Sequence, residues 1–423
     1  MKKLIVTLFV TLLICAMQAQ DFDQYFVDKT LRIDYLHIGN KEVENFEIKT
    51  FHAGGTWNGT HHFLEAPHRY GDVLFEAFDA TTGQLIFSKS YSCLFNEYRT
   101  TERGIHEIGS FEESILMPFP KNKIKIVFTT YNRRLEPTQL YEGFFDPKQT
   151  PYQAFVKDYK IMNLHVGNTP DKALDILFIP DGYTKQDKKE MKYDMKRFAD
   201  YILNCSPFKE NADKINIRAI EGYSEESGIT DPNNHIAKTT LLNSSYNVID
   251  LDRYLMCLNV WQMNAVADDA PYDIIVIVAN SSKYGGGGIY NFYCTVNNEG
   301  KYSDYVIVHE LGHLLAGLGD EYYSSEVSTM DFYPSDVEPV EPNLTTLVNF
   351  ESKWKDLVDT STPIPTPNLN QYQNVVGVFE GGGYVSKGVY RPKKHCTMKD
   401  KLYDSFCPVC TKAILEAIEY YAK

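Results

Sequence analysis

Two histidines four residues apart, inside a segment with the pattern of a helix, constrain this chain more than any other feature. The segment Lys301 to Ala316 reads KYSDYVIVHELGHLLA and contains His309 and His313. Side chains four residues apart lie one turn apart on the same helix face, so both imidazoles can reach one tetrahedral cation. Glu310 lies beside them without having to bind the metal. The sequence therefore predicts a metal-binding helix with a carboxylate next to its ligands.

The ends of this helix are marked by the flanking residues. Ser303 is predicted to cap its amino end, and Asp304 favours the first turn because of the helix dipole. Gly317 is a plausible stop, since glycine commonly follows the last helical residue.

The residue types at this spacing indicate hydrolytic chemistry. Neutral imidazoles bind Zn²⁺ without cancelling its charge, so the metal can lower the pKa of its bound water to about 7. Glu310 can take the proton of that zinc-bound water and later return it to the leaving amine. We therefore expect a Zn²⁺ cofactor on His309 and His313, with Glu310 as the catalytic base.

The first 19 residues have the pattern of a signal peptide. Lys2 and Lys3 precede an apolar run from Leu4 to Met17, and cleavage is expected near Ala19. The run is shorter than the ~20 apolar residues that a bilayer span needs. We therefore expect an exported protein, secreted or in the cell envelope, with no membrane span in its mature chain.

Composition excludes several other classes of protein. Hydrophobic residues make up 43% and charged residues 23%, which argues against disorder and against a protein with many membrane spans. The formal net charge of -14 would repel a phosphate backbone, so nucleic acid is not an expected partner. A length of 423 residues allows two domains or one large domain.

Residues 20–155 are predicted to form an antiparallel β-sandwich. Short apolar or alternating runs such as Leu74 to Phe78 and Ile124 to Thr129 are separated by turn residues. The histidines of this region, His61, His62 and His68, are interpreted as surface or loop residues.

Residues 156–423 show a different periodicity, in which strands alternate with helices. Strands are predicted at Leu174 to Ile179, Lys214 to Ile220 and Tyr272 to Ala279. A helix capped by Thr184 and a second helix at Leu251 to Ala265 lie between them. This alternation indicates an α/β layer.

Two further segments are predicted to border a cleft. Gly285 to Gly288 leads into a strand, Ile289 to Val296, which could be an edge strand that pairs with an extended peptide. The alternative is a flexible loop before a strand. The long proline-containing segment between Tyr323 and Arg391 is expected to wall the cleft, because loops of this length are commonly functional.

Beyond the helix the chain resembles a known family. The residues Gly317 to Tyr322, which read GLGDEY, are followed later by Gly381 to Tyr384, by Cys396 to Met398 and by Phe406 to Cys410. Together with HELGHLLA they resemble the IgA peptidase family of metallopeptidases, which is metzincin-like. The resemblance covers nearly the whole mature chain and is most specific around the helix.

The resemblance implies Asp320 as the third metal ligand and Met398 as the Met-turn beneath the metal. In metzincins the third ligand usually follows the second histidine by about six residues, whereas Asp320 follows His313 by seven. Glu321 is therefore the alternative ligand. Met398 has the alternative of an ordinary core methionine.

The cysteines near the carboxyl end allow several interpretations. Cys407-Pro408-Val409-Cys410 is predicted to begin a terminal helix. In an exported chain a disulfide from Cys396 to Cys407 or Cys410 is favoured. The alternatives are a redox-active pair or a structural zinc half-site that includes Cys396 and His395.

The expected fold is α+β, with the β-sandwich followed by a metzincin-like α/β zinc peptidase domain. The expected activity is that of a secreted zinc-dependent endopeptidase, which binds protein or peptide substrates in extended form, immunoglobulin-type proteins among them. One alternative is a binding module whose zinc domain is a relic, although a relic would have no need of Glu310. The other is a zinc amidase acting on cell-wall peptide or glycan.

Overall fold

The computed structural model describes residues 22–66, 68–323, 332–401 and 405–423. The predicted signal peptide, residues 1–19, lies outside the described residues. Within the described ranges the chain is mixed α/β, with several sheets and an amino-terminal domain. None of the helices in these ranges is long and apolar enough to cross a bilayer.

The amino-terminal part contains two four-stranded sheets, in the orders β5-β1-β2-β8 and β4-β3-β6-β7. All neighbouring strands in them are antiparallel except the short β2-β8 pair. The strands are β1 (Phe26–Gly39), β2 (Glu44–Gly54), β3 (Val73–Asp79), β4 (Leu85–Tyr91), β5 (Gly109–Pro120), β6 (Ile124–Tyr131), β7 (Pro137–Phe145) and β8 (Gln153–Ala154). The short helices are α1 (Phe22–Tyr25), α2 (Phe95–Tyr98) and α3 (Glu102–His106).

Aromatic side chains join these two sheets. The ring centroid of Phe128 on β6 lies 5.0 Å from that of Tyr35 on β1 and 5.3 Å from that of Phe46 on β2. All three rings are buried. The apolar residues of the alternating pattern thus face one another across the two sheets.

The remaining part is built on a six-stranded sheet in the order β13-β14-β12-β10-β11-β9. Its four inner strands are parallel, and both edge strands are antiparallel to their neighbours. The strands are β9 (Lys160–Val166), β10 (Leu174–Asp181), β11 (Ile215–Glu221), β12 (Ile274–Ala279), β13 (Gly286–Gly288) and β14 (Tyr293–Asn297), and a separate hairpin is formed by β15 (Phe379–Gly382) and β16 (Val385–Arg391). The helices are α4 (Lys188–Asn204), α5 (Val260–Ala267), α6 (Ser303–Ala316) and α7 (Pro408–Ala422).

The strands predicted at Leu174, Lys214 and Tyr272 are confirmed as β10, β11 and β12. The strand predicted at Ile289 to Val296 begins only at Tyr293, as β14, and the edge of the sheet is β13. The helix predictions also need correction. Helix α4 begins at Lys188 with Asp187 in the capping position, and the Thr184 hydroxyl donates a hydrogen bond to Asp187 instead of capping the helix. The predicted helix at Leu251 to Ala265 is wrong in its first half.

The first half of that segment is extended because it bridges to other parts of the chain. Met256 forms an isolated β-bridge with Ser245, and Tyr254 forms one with Gly286 on β13. Leu255 and Met256, on opposite faces of this extended stretch, are both fully buried. Tertiary contacts therefore override the helical spacing, and α5 begins only at Val260.

One hydrophobic core runs through both parts of the chain. The buried residues of the two four-stranded sheets form a single cluster with Leu177, Ile179 and Tyr293 of the six-stranded sheet. A buried ion pair between Arg32 on β1 and Asp268 after α5 crosses the same boundary. Helix α6 packs against β13 and β14 on one side and against α4 and α7 on the other.

Candidate metal centre

Helix α6 carries His309, Glu310 and His313 and ends where the sequence predicts. Gly317 adopts a left-handed conformation, with φ of 58°, and closes the helix. The beginning differs from the prediction, because Ser303 is the first helical residue and its hydroxyl donates to the Gly300 carbonyl. Tyr302 occupies the capping position without a side-chain bond.

Three of the predicted site residues come together at the end of this helix. Nε2 of His309 lies 3.2 Å from Nε2 of His313. Oδ1 of Asp320 lies 3.0 Å from the first nitrogen and 3.4 Å from the second. Ligands at about 2.0 to 2.1 Å from a tetrahedral Zn²⁺ lie about 3.3 to 3.4 Å apart. The three donor atoms therefore fit a single zinc ion.

Hydrogen bonds on the far side of each ring orient both imidazoles. Nδ1 of His309 lies 3.0 Å from the Thr397 carbonyl oxygen, and Nδ1 of His313 bonds to the Leu318 carbonyl oxygen. A carbonyl can only accept, so each Nδ1 carries a proton and Nε2 is the nitrogen of each ring that could bind a metal. Tyr305 donates to the same Thr397 oxygen at 2.9 Å.

Asp320 is held in place by the hairpin of β15 and β16. Its Oδ2 accepts a hydrogen bond of 2.6 Å from the Tyr384 hydroxyl, and its carbonyl oxygen accepts one of 2.8 Å from the Gly383 backbone N–H. The Asn343 side chain accepts from the Gly319 backbone N–H at 2.8 Å. Oδ1 of Asp320 is buried and has no hydrogen-bond donor among the described residues, as expected of an oxygen that awaits a cation.

Glu321, the alternative third ligand, and Met398, the predicted Met-turn residue, lie next to each other. Oε1 of Glu321 accepts from Asn343 at 3.0 Å and lies 3.3 Å from Sγ of Cys410, so this carboxylate is directed towards the cysteines. Met398 is fully buried, and its sulfur packs against Gly312 of α6. The Glu321 backbone N–H donates to the Met398 carbonyl at 2.9 Å, which joins these two segments.

The charges of the three donors depend on one another. Burial alone raises the pKa of Asp320, but the imidazoles of His313 and His309 outweigh it and hold the pKa well below its usual value. Burial alone lowers the pKa of His313, but the Asp320 carboxylate raises it to about 9. The carboxylate is therefore ionised and can act as an anionic ligand.

Glu310 lies against a strand whose residues lack side chains. A Cβ atom added at Gly288 of β13 would lie 2.6 Å from the Glu310 carbonyl oxygen and 3.1 Å from its Oε2. Only glycine lets the backbone approach this carboxylate so closely. Burial raises the pKa of Glu310, and the nearby His309 and His313 partly offset this effect.

These residues open into a cleft of about 470 Å³. The segment between helix α6 and the hairpin of β15 and β16 borders this cleft with Phe332 and Glu341, as the sequence predicts. Residues 324–331 of that segment lie outside the described part of the chain. The amino-terminal part borders it as well, which sequence reasoning missed. The lining residues that no motif indicated include Asp72, Glu97, Arg133, Arg253 and Tyr254.

The seven described cysteines are unbridged, so the predicted disulfide at Cys396 is wrong. Its sulfur lies 3.7 Å from that of Cys410, whereas a disulfide requires about 2.05 Å. His395 lies outside the cysteine group, with its Nδ1 2.9 Å from Oδ2 of Asp400. The half-site with His395 is therefore also not formed.

Comparison with protein families bears on what this cleft does. A family model described as IgA peptidase M64 matches residues 162–374 and 368–418. A second, described as the peptidase M64 N-terminus, matches residues 21–142. No curated protein compared with the chain matches it. The resemblance seen in the sequence is thereby confirmed, and the chain belongs to the IgA peptidase M64 family of peptidases.

Proposed function

We propose that this peptidase is a secreted zinc-dependent endopeptidase, with His309, His313 and Asp320 as metal ligands and Glu310 as the catalytic base. The observation that carries the proposal is the convergence of two imidazole nitrogens and one carboxylate oxygen within 3.4 Å of one another. Nitrogen and oxygen donors in this number are typical of catalytic zinc sites, which keep a further position for water or substrate.

Zinc, when bound, supplies a Lewis acid that acidifies water and polarises a carbonyl group. The protein supplies the proton transfer. Glu310 lines the same cleft as the three proposed ligands, but its carboxylate is not one of their clustered donor atoms. A carboxylate there can accept a proton from the attacking water and return it to the leaving amine.

The environment of Glu310 suits this task. Its burial raises its pKa above the usual value, which makes the carboxylate a stronger base. Tyr384 holds Asp320 through a hydrogen bond and leaves Oδ1 for the metal. The bonds from each Nδ1 to a carbonyl oxygen keep both histidines in the tautomer that a metal needs.

An extended peptide is the proposed substrate. Strand β13 is the edge of the six-stranded sheet and borders the cleft beside Glu310. Edge strands can add a peptide backbone by main-chain hydrogen bonds. Gly286 already bridges to Tyr254, so the free stretch is the one around Gly288. Immunoglobulin-type proteins are candidate substrates because of the family to which the chain belongs.

The finer description of the fold is also a proposal. Residues 20–155 would be a β-sandwich, supported by the aromatic contacts between its two sheets. Residues 156–423 would be a metzincin-like peptidase domain, supported by Met398 packed beneath α6. Residues 1–19 would act as a signal peptide that directs export and is then removed, so the mature protein would lie in the cell envelope or the medium.

The test is a cleavage-site profile of the purified mature protein on a denatured proteome and on immunoglobulin A. We expect new amino termini inside substrate chains, lost with a chelator and restored by zinc. A Glu310→Gln variant serves as the control for contaminating proteases. If the zinc-loaded protein cleaves only cell-wall peptide or glycan, the endopeptidase assignment is wrong and the amidase alternative is favoured.

A further inference from the structure

Three cysteines and one glutamate meet in the core behind the candidate metal centre. Sγ of Cys407 lies 3.5 Å from Sγ of Cys410, which lies 3.7 Å from Sγ of Cys396. Oε1 of Glu321 is 3.3 Å from Sγ of Cys410. All four side chains are at most 3% exposed. They form a closed group of four potential metal ligands.

The distances between the sulfur atoms fit a tetrahedral metal site. With a Zn–S distance of about 2.3 Å, two thiolates on one zinc lie about 3.8 Å apart. The observed separations of 3.5 and 3.7 Å are close to that value. Thiolates favour zinc among the common divalent ions, whereas calcium and magnesium favour oxygen ligands.

The glutamate gives an independent indication of a cation. Oε2 of Glu321 is buried and has no hydrogen-bond partner among the described residues. A buried carboxylate oxygen without a partner is costly. The other oxygen, Oε1, accepts from Asn343 at 3.0 Å, so the side chain is held at the cysteine group.

The backbone around the cysteines is arranged to support thiolates. The Cys407 N–H donates to Sγ of Cys396 at 3.3 Å, and the Cys410 N–H donates to Sγ of Cys407 at 3.5 Å. Cys407 caps helix α7 and Cys410 lies in its first turn, where the helix dipole stabilises negative charge. Backbone donors to the ligand atoms are typical of well-formed metal sites.

We propose that Cys396, Cys407, Cys410 and Glu321 bind a second zinc ion in a structural site. Four protein ligands leave no open position for water, and complete burial keeps substrate away, so the site would stabilise the fold and not act in catalysis. Binding would release the protons of the three thiols. The proposal does not depend on the peptidase mechanism, because the four ligands are distinct from those of the first site.

The position of this second site explains what it would stabilise. Glu321 directly follows Asp320, and Cys396 lies two residues before Met398. A metal bound to both would fix the segment that carries the third proposed ligand to the segment beneath α6. Cys407 and Cys410 would fasten both segments to helix α7.

The first test is metal analysis of the purified mature protein. We expect about two zinc ions per chain in the wild type and about one in His313→Ala, since each site holds one ion. Cys410→Ser should also fall to about one. Cys257→Ser is the matched control, because Cys257 is fully buried outside the group and donates to the Leu242 carbonyl, as a serine also could.

Cobalt substitution distinguishes the two sites directly. The first site has no sulfur, so charge-transfer absorption from thiolate to cobalt cannot arise from it. Loss of the band in Cys410→Ser assigns it to the cysteine group and not to Cys93, which lies in another group of potential ligands with His37 and Glu113. We expect the band in the wild type and in His313→Ala, and a marked loss in Cys410→Ser. If Cys410→Ser does not fold, the intensity of the band in the other two proteins decides, because three thiolates absorb more strongly than the single thiolate of Cys93 would.

Two results would overturn the proposal. One is a cobalt-loaded wild type without thiolate charge transfer. The other is a thiol titration of the unfolded, metal-stripped and unreduced mature protein in which Cys396, Cys407 or Cys410 does not react, because a missing thiol there would reveal a disulfide. If His313→Ala instead contains as much zinc as the wild type while the cobalt band persists, the first site fails and the second stands.

Discussion

Nδ1 of His309 lies 3.0 Å from the carbonyl oxygen of Thr397, so a hydrogen bond joins helix α6 to the segment that leads into Met398. This single bond fixes the tautomer of the proposed ligand. It also joins the proposed catalytic zinc site to the cysteine group, because Cys396 precedes Thr397. A substitution in either site is therefore expected to alter the geometry of the other, because only a few backbone residues separate them.

Glu310→Gln is expected to keep the metal and lose the activity. The amide has the shape of the carboxylate but cannot accept the proton of water, and a general base contributes about 10²- to 10⁴-fold to the rate. The measurement is kcat/KM on a cleaved peptide together with zinc content. Asp304→Asn, an exposed change in the first turn of the same helix, is the control and should have nearly wild-type activity. Near-normal turnover in Glu310→Gln would contradict the mechanism.

His309→Ala and His313→Ala are each expected to lose the zinc of the first site, and with it the activity. Two remaining donors cannot hold a catalytic zinc tightly, and Asp320 would be left buried with one imidazole. Metal content and melting temperature are the measurements. His62→Ala is a suitable control because His62 is exposed. Full zinc content in either ligand variant would show that the ligand assignment is wrong.

Local patterns predicted much of this architecture, and tertiary contacts explain the rest. The buried strand at Leu174 and the helix stop at Gly317 follow from hydrophobic runs and from glycine conformation, so the sequence predicted them. The extended stretch around Met256 could not be predicted, because its partners lie on other strands. The same holds for Arg253, which lies in no motif, and for the hydrogen bond from Tyr384 to Asp320, which the motif Gly381 to Tyr384 did not indicate.

Asp268→Ala is expected to destabilise the whole chain. Arg32 and Asp268 form a buried ion pair between the amino-terminal sheets and the segment after α5. Asp34 stays paired with Arg32 at 3.0 Å in this variant, but the buried charged hydrogen bond to Asp268 is lost, which costs about 1 to 3 kcal/mol. Denaturant unfolding is the measurement. Glu142→Ala, which removes an exposed partner of Lys125, is the control and should cost less than about 1 kcal/mol. A loss for Asp268→Ala as small as that of the control would show that this ion pair does not stabilise the boundary between the two parts.

Stability is also expected to depend on His37. Burial alone lowers the pKa of His37, but Glu113 at 3.1 Å and Glu44 at 2.9 Å outweigh it and raise the pKa above its usual value. A raised pKa in the folded state stabilises the protein fully below the unfolded value of about 6.5, and this contribution is lost as the pH rises through the folded pKa.

The comparison that isolates this effect is the melting temperature of the wild type and of His37→Gln across neutral and alkaline pH. The difference between the two should shrink as the pH rises, because only the wild type loses the charged imidazole. Cys93, 3.5 Å from Nδ1 of His37, stays protonated over this range, because burial and the nearby Glu113 raise its pKa well above the usual value. A difference that is constant with pH would mean that His37 is neutral in the folded state.

The most discriminating prediction concerns Asp320, whose spacing from His313 departs from the usual metzincin pattern. The left-handed Gly317 turns the chain back, and Tyr384 then holds Oδ2 while Oδ1 faces both histidines. Asp320→Ala should therefore lose the zinc of the first site. Tyr384→Phe should keep the ligand but weaken the affinity for zinc by about 10- to 100-fold, as loss of a hydrogen bond to a ligand typically does. Zinc titration against a competing chelator measures both effects. If Asp320→Ala binds zinc as tightly as the wild type while Glu321→Ala loses the first-site zinc, Glu321 is the third ligand and the assignment of Asp320 is wrong.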